Sequence, residues 1–164
     1  MSVATADVQT AVNAAWAAAG LDAHFTAYWT AAEIANNAVL SEREAAPGQP
    51  FPYCVMETDA PRTLQRMSWS SGKREFREVG VTFNIHAKLE SGSGLSAKQL
   101  AAQLAEELMK VFGGHPTHAP ADLTLANGGV LLTQYQSDWP QPTELYHYQW
   151  IVKYLVRVDV PVAV

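Results

Sequence analysis

The sequence predicts an α+β fold, an antiparallel β-sheet with two helices packed on one face. Two segments carry that expectation. Residues 75–89 alternate strictly, with Val79, Val81, Phe83, Ile85, Ala87 and Leu89 on one side and Glu78, Thr82, Asn84, His86 and Lys88 on the other, the period of a half-buried strand. Between Ser96 and Gly113, Leu100, Leu104, Leu108, Val111 and Phe112 form one helical stripe, the pattern of a core-facing helix. The order helix, strands, helix, strands completes the argument. With 164 residues, 48% hydrophobic and 16% charged, the chain has the composition of one globular domain spanning residues 1–164.

The elements follow in order. Residues 7–19 read as an amphipathic helix with Val8, Val12, Ala15, Trp16 and Ala19 on its apolar stripe, Thr5 as its cap and Gly20 as its end. Residues 21–44 lack a clean period; Tyr28, Trp29 and Ile34 serve as apolar anchors, and a short strand is expected at 38–42. Three prolines and a glycine between 45 and 52 lead into a strand at 53–57. From Asp59 to Gly72 the chain is polar and basic, which predicts a long loop or a projecting hairpin. Residues 90–94 form a turn, and Ser96 with Gln99 fits a capping box. Gly113 and Gly114 close the helix. A strand is expected at 123–136 with a kink at 127–129, then a proline-bearing connection at 138–143, then a strand at 146–160.

On that last strand Tyr146, Tyr148, Trp150, Val152, Tyr154, Val156 and Val158 share one face, and Gln149, Ile151, Lys153, Leu155, Arg157 and Asp159 share the other. The second set is too apolar for a wet surface and too charged for a core, which suits a subunit interface.

Charge and composition exclude several function classes. A net charge of −5 argues against a general nucleic-acid binder. Residues 62–77 reverse that sign locally, holding Arg62, Arg66, Lys73, Arg74 and Arg77 against Glu75. Such polarity suits head-to-tail docking of a basic element on an acidic neighbour. The single cysteine, Cys54, cannot form an intrachain disulfide or a cysteine zinc cluster. No run of about 20 apolar residues suggests a membrane span, and residues 1–8 hold Asp7 and no basic residue, so no signal peptide is expected.

Catalytic and binding motifs are sparse. His115 and His118, with Asp122 nearby, are metal-ligand residue types, but Pro116 rules out the regular helix that would align the two imidazoles, and no metal is expected there. Cys54 and His86 form a nucleophile and base only if they share a sheet face; a buried structural thiol is the simpler reading. Gly92–Gly94 precedes a helix without a phosphate-loop sequence. Glu106 and Glu107 beside Lys110 read as solvated residues, and the aromatics of the last strand read as core, because Asp138, Glu144 and Asp159 against Lys153 and Arg157 leave no basic groove for bases. No enzyme activity and no cofactor are expected.

The proline-led strand PGQPFPYCVMET, the long polar loop after it, the stretch REFREVGVTFNIHAKLESGSGLSAKQLAAQLAEELMKVFGG, and the pair NGGVLLTQYQSD and YQWIVKYLVRVDVPV, together with the N-terminal helix and in that order, resemble the tail terminator (tail completion) proteins of long-tailed bacteriophages. The resemblance covers residues 47–164. It implies an α+β subunit, made in the bacterial cytoplasm and incorporated into the virion. There it assembles as a hexameric ring, caps the tail tube, ends tube polymerisation and meets a head–tail connector or neck protein. DNA passes through the lumen without specific binding, and neither cofactor nor membrane is involved. The candidate contacts are Arg62, Arg66, Lys73 and Arg74 on the basic segment and Ile151, Lys153, Leu155 and Arg157 on the last strand, with residues 90–94 as a second loop. Two alternatives share the pattern: a head-closure protein of the same particle, and a small-molecule-binding α+β domain with His86 or His147 in a cavity between sheet and helices.

Overall fold

The structure is a computed structural model and describes residues 3–42, 44–59, 62–69, 72–88, 94–126, 129–144 and 146–161. The first helix, α1 (Val3–Ala19), buries Val8, Ala11, Val12 and Trp16 and ends at Gly20 with φ +66°. The sequence places its cap at Thr5, yet Thr5 lies inside the helix and is buried. Ala4 and Ala6 let the helix begin earlier, since alanine loses no side-chain entropy in a helical turn.

Two short helices occupy the stretch that lacks a period. Helix α2 (Asp22–Thr26) buries Phe25. Helix α3 (Ala31–Asn36) starts with a capping box in which Glu33 N–H donates to Thr30 Oγ1 and Thr30 N–H donates to Glu33 Oε1. Trp29 between them is a true anchor, buried with its indole N–H donating to Pro52 O at 2.9 Å. Ile34 is not, being 50% exposed. The short strand expected at 38–42 reduces to β1 (Leu40–Ser41).

Strand β1 runs parallel to β2 (Tyr53–Thr58), the sheet's parallel pair. Strands β2 and β3 (Arg62–Trp69) lie one after the other along the same edge of β4 (Gly72–Lys88), both antiparallel to it. Residues 62–69 are therefore a hairpin strand, the second of the two forms the sequence allows for the segment from Asp59 to Gly72. The other edge of β4 pairs with β6 (His147–Pro161), and β5 (Gly129–Glu144) flanks β6. Among the described residues the sheet has six strands in the order β1-β2-β4-β6-β5, with β3 on β4.

The last third differs from expectation in three places. Residues 123–126 are not strand, residues 127 and 128 of the expected kink lie outside the described residues, and β5 continues through Asp138, Pro140 and Pro142, where a connection is expected. Proline is tolerated there because β5 is an edge strand, where a missing N–H breaks no second ladder, and the register shifts between Pro142 and Glu144. Tyr146 does not join the core face; it precedes β6 with φ +62° and is 61% exposed.

Helix α4 (Ala97–Phe112) begins as expected, with Gln99 N–H donating to Ser96 Oγ and Ser96 N–H donating to Gln99 Oε1. It buries Leu100, Leu104, Leu108 and Phe112, while Val111 is half-buried. Helices α1 and α4 pack on the same sheet face, because Phe83 stacks on Trp16 of the first at 6.2 Å and on Phe112 of the second at 5.0 Å between ring centroids. Val79, Val81, Ile85, Val152, Val156 and Val158 complete this core beneath them. Burying a ring such as Phe83 contributes about 1.5–3 kcal/mol. The mixed α+β class holds, with four helices among the described residues rather than two.

Candidate interaction surface

The cross-strand register assigns the residues of the uncovered sheet face. One row runs Val55, Asn84, Ile151 and Trp139; the next runs Glu57, Thr82, Lys153 and Ser137. Further along, Gly80 and Leu155 are followed by Arg62, Glu78 and Arg157. The four interface candidates of the last strand thus lie on the face that no helix packs against. They contribute unequally. Ile151 is 8% exposed and already buried by its own chain, Leu155 is half-buried, and Lys153 and Arg157 are exposed. Arg157 Nε donates to Glu78 Oε2 at 3.1 Å.

Trp139, 40% exposed, is the aromatic this row adds. It is hidden in the sequence because Pro140 and Pro142 suggest a connection, and because the register shift between Tyr135 and Ser137 turns it to the face opposite Tyr135.

The basic candidates lie on the hairpin formed by β3 and the start of β4. In register, Arg62 faces Glu78, Arg66 faces Glu75, Arg74 faces Met67 and Lys73 faces Ser68. This hairpin is joined to the open face through the Arg62, Glu78 and Arg157 row, and β6 runs along the start of β4 as far as Arg74. Residues 90–93 of the second loop lie outside the described residues.

An aromatic and imidazole cluster occupies the other end of the open face. Tyr53 stacks on His86, Phe51 meets Tyr53 and His147 edge-on at 4.9 Å each, and Lys88 Nζ sits 4.2 Å above the Phe51 ring. His86 Nδ1 and His147 Nε2 are 3.1 Å apart. Burial first, and then the neighbouring His147, push His86 down to about 4. Burial also raises the Tyr53 phenol.

Cys54 registers with Ile85 and His86 with Tyr53, so thiol and imidazole lie on opposite faces and cannot act as nucleophile and base. The thiol is fully buried and pushed up by burial, the environment of an inert cysteine. His86 and His147 likewise face away from the helices, which contradicts their placement in a cavity between sheet and helices. A groove of about 200 Å³ lies elsewhere, outside α2 and α4, lined by His24, Tyr28, Leu104, Glu107 and Lys110 among others. Glu107 there accepts from Lys110 Nζ at 3.0 Å and lies 3.6 Å from His24 Nε2.

On the helix side, Asp138 accepts hydrogen bonds from Tyr135 Oη and from Trp150 Nε1, the latter at 2.8 Å. Burial and the Asp138 carboxylate push Tyr135 up to about 12. Tyr154 Oη donates to Gly113 O at 2.6 Å, and burial raises its phenol too. These groups fasten β5 and β6 to the end of α4; none of them opens onto the uncovered face.

The turn after α4 brings His115 and His118 together, with Nδ1 atoms 3.1 Å apart. Asp122 does not join them, for among the described residues no three His, Cys, Asp or Glu side chains converge as metal ligands. No helix among the described residues is long and apolar enough to cross a membrane.

No family model matches the chain, and no curated protein does. Among solved structures, a chain in the virion of a native gene transfer agent particle is similar to it at 16% identity, with a TM-score of 0.41, over 79% of this chain and 83% of that one.

Proposed function

We propose that this chain is a non-enzymatic structural subunit of a phage-type virion, a tail terminator that forms a hexameric ring on the tail tube, ends its polymerisation and meets the neck protein. The observation that carries this reading is the one-sided sheet. Helices cover one face, and the other presents Trp139, Leu155, Lys153 and Arg157 and continues into the basic β3–β4 hairpin. A mixed apolar and charged patch of this kind is the composition of a subunit contact. A head-to-tail contact that closes gives a ring, and the net charge of −5 suits a lumen through which DNA slides. The segment order of residues 47–164, described above, supports the same role.

Deletion of the gene in a particle-producing host tests the proposal. Overlong tails support a terminator. Normal tails with heads that lose their DNA would instead indicate a head-closure subunit, and normal particles would exclude both.

A further inference from the structure

A single cross-strand row, Arg62, Glu78, Arg157 and Leu132, runs through β3, β4, β6 and β5 in turn. Among the described residues β3 pairs with β4 alone and β5 with β6 alone, so both ends of this row are sheet edges. Every neighbouring pair along it is antiparallel. Chain direction therefore alternates across the row, and β3 at one edge runs opposite to β5 at the other.

Charge and proline are two devices by which edge strands avoid pairing with another chain. Strand β5 has Pro140 and Pro142 at its far end, but Gly129 to Ser137 holds neither a proline nor a charged residue. Register shifts between Val130 and Leu132 and between Tyr135 and Ser137 bend this part of the strand, the means by which a sheet curls towards closure. The two edges also differ in sign. Strand β3 carries Arg62 and Arg66 and no acid, whereas β5 carries Asp138 and Glu144 and no base. No Lys or Arg lies between Lys110 and Lys153.

We infer that the edge of β5 takes strand β3 of a second copy of this chain as an antiparallel ladder. The inference rests on the ring proposed above and names the strands that close it. A copy rotated about an axis along the strands presents β3 opposed to β5, so the alternation of directions continues from one chain into the next. The helices then lie on the same side of the joined sheet in every copy. Free backbone N–H and C=O groups of the two edges supply the contact, as in other cases of strand addition, and basic β3 meets acidic β5. Pairing β5 with β5 of a second copy would bring the carboxylates together and stop at a dimer, because such a contact is isologous. The contact between β3 and β5 is heterologous, so it repeats until it closes, and a closed sheet has no edges left.

Hydrogen–deuterium exchange of the full chain tests the pairing, read by mass spectrometry in dispersed protein and in the associated form, alone or on tail tubes. On association, peptides covering residues 62–69 and 129–137 should both lose fast exchange at about half of their amides, those that point away from their own sheet. Peptides of α4 should not change. Protection of β5 without β3 would overturn the inference, in favour of a β5 dimer or a strand from another protein. Association with neither edge protected would overturn it too, while leaving a ring held by the open face. No association, alone or on tubes, would overturn the inference and the ring together. Gln134 is exposed on β5, and its replacement gives a second reading in chains that circular dichroism shows to be folded. Gln134→Arg sets a like charge beside the arginines of β3 and should weaken association severalfold, whereas Gln134→Glu should not. A response blind to the sign of the charge would overturn the pairing with β3.

Discussion

Tyr53 and His86 stack at 4.7 Å between ring centroids with 11° between their planes, on the sheet face that no helix covers. A tyrosine ring over one side of the imidazole and His147 Nε2 at 3.1 Å from its edge leave little water for a charged His86. That arrangement makes the open face sensitive to acid.

His86 titrates near 4 in the folded chain and near 6.5 unfolded. Between those values the unfolded chain binds the extra proton, so stability is full above about pH 6.5 and falls as pH drops towards 4. With screening at a half-buried ring, the loss is about 1–2 kcal/mol. Thermal unfolding between pH 4 and 7 should show this slope, and His86→Gln should flatten it; an equal slope in the variant would assign the acid sensitivity to other groups.

Gly114 has φ +100°, and a Cβ there would lie 2.6 Å from Tyr135 Cδ2. Gly114→Ala should therefore cost about 2–3 kcal/mol, from backbone strain together with a clash against a ring that Asp138 holds in place. Differential scanning calorimetry should show a drop of about 5 °C or more.

Tyr154→Phe removes the donor to Gly113 O while keeping the buried ring. A loss of about 1–2 kcal/mol is expected from the unpaired carbonyl. Chemical denaturation measures it, and an unchanged midpoint would show that water replaces the hydroxyl.

Reversing charge at Arg66 and Arg74 together, as Arg66→Glu and Arg74→Glu, should weaken association with the tube and between subunits while the chain stays folded. Both positions lie on the hairpin of β3 and the start of β4. Sedimentation and tube co-pelleting read the effect; values equal to those of the unaltered protein would remove the hairpin from the contact.

The strands and helix α4 are legible wherever a repeated period is strong enough to outweigh local signals. The alternation from Val79 to Ala87 and the Leu100, Leu104 and Leu108 stripe each report burial on one side of one element. Helix α3 was missed although Thr30 and Glu33 carry the same capping signature as Ser96 and Gln99, because it buries no residue and so has no apolar period. Pro140 and Pro142 concealed the end of β5, since a proline signals a break unless the strand is known to lie at an edge. The open face could be read only along β6. Trp139 belongs to it through cross-strand register, a relation between residues distant in sequence. The convergence of His115 and His118 was hidden by Pro116, which excludes the helical route to convergence and leaves a tight turn as the other.

Negative-stain microscopy of the purified protein, mixed with a tail tube protein of the same particle, tests the central claim most directly. The account predicts tubes of uniform length, each ending in a ring, and loss of those rings with the Arg66→Glu and Arg74→Glu double variant. Tubes that grow on without limit and carry no ring density at their ends would contradict it.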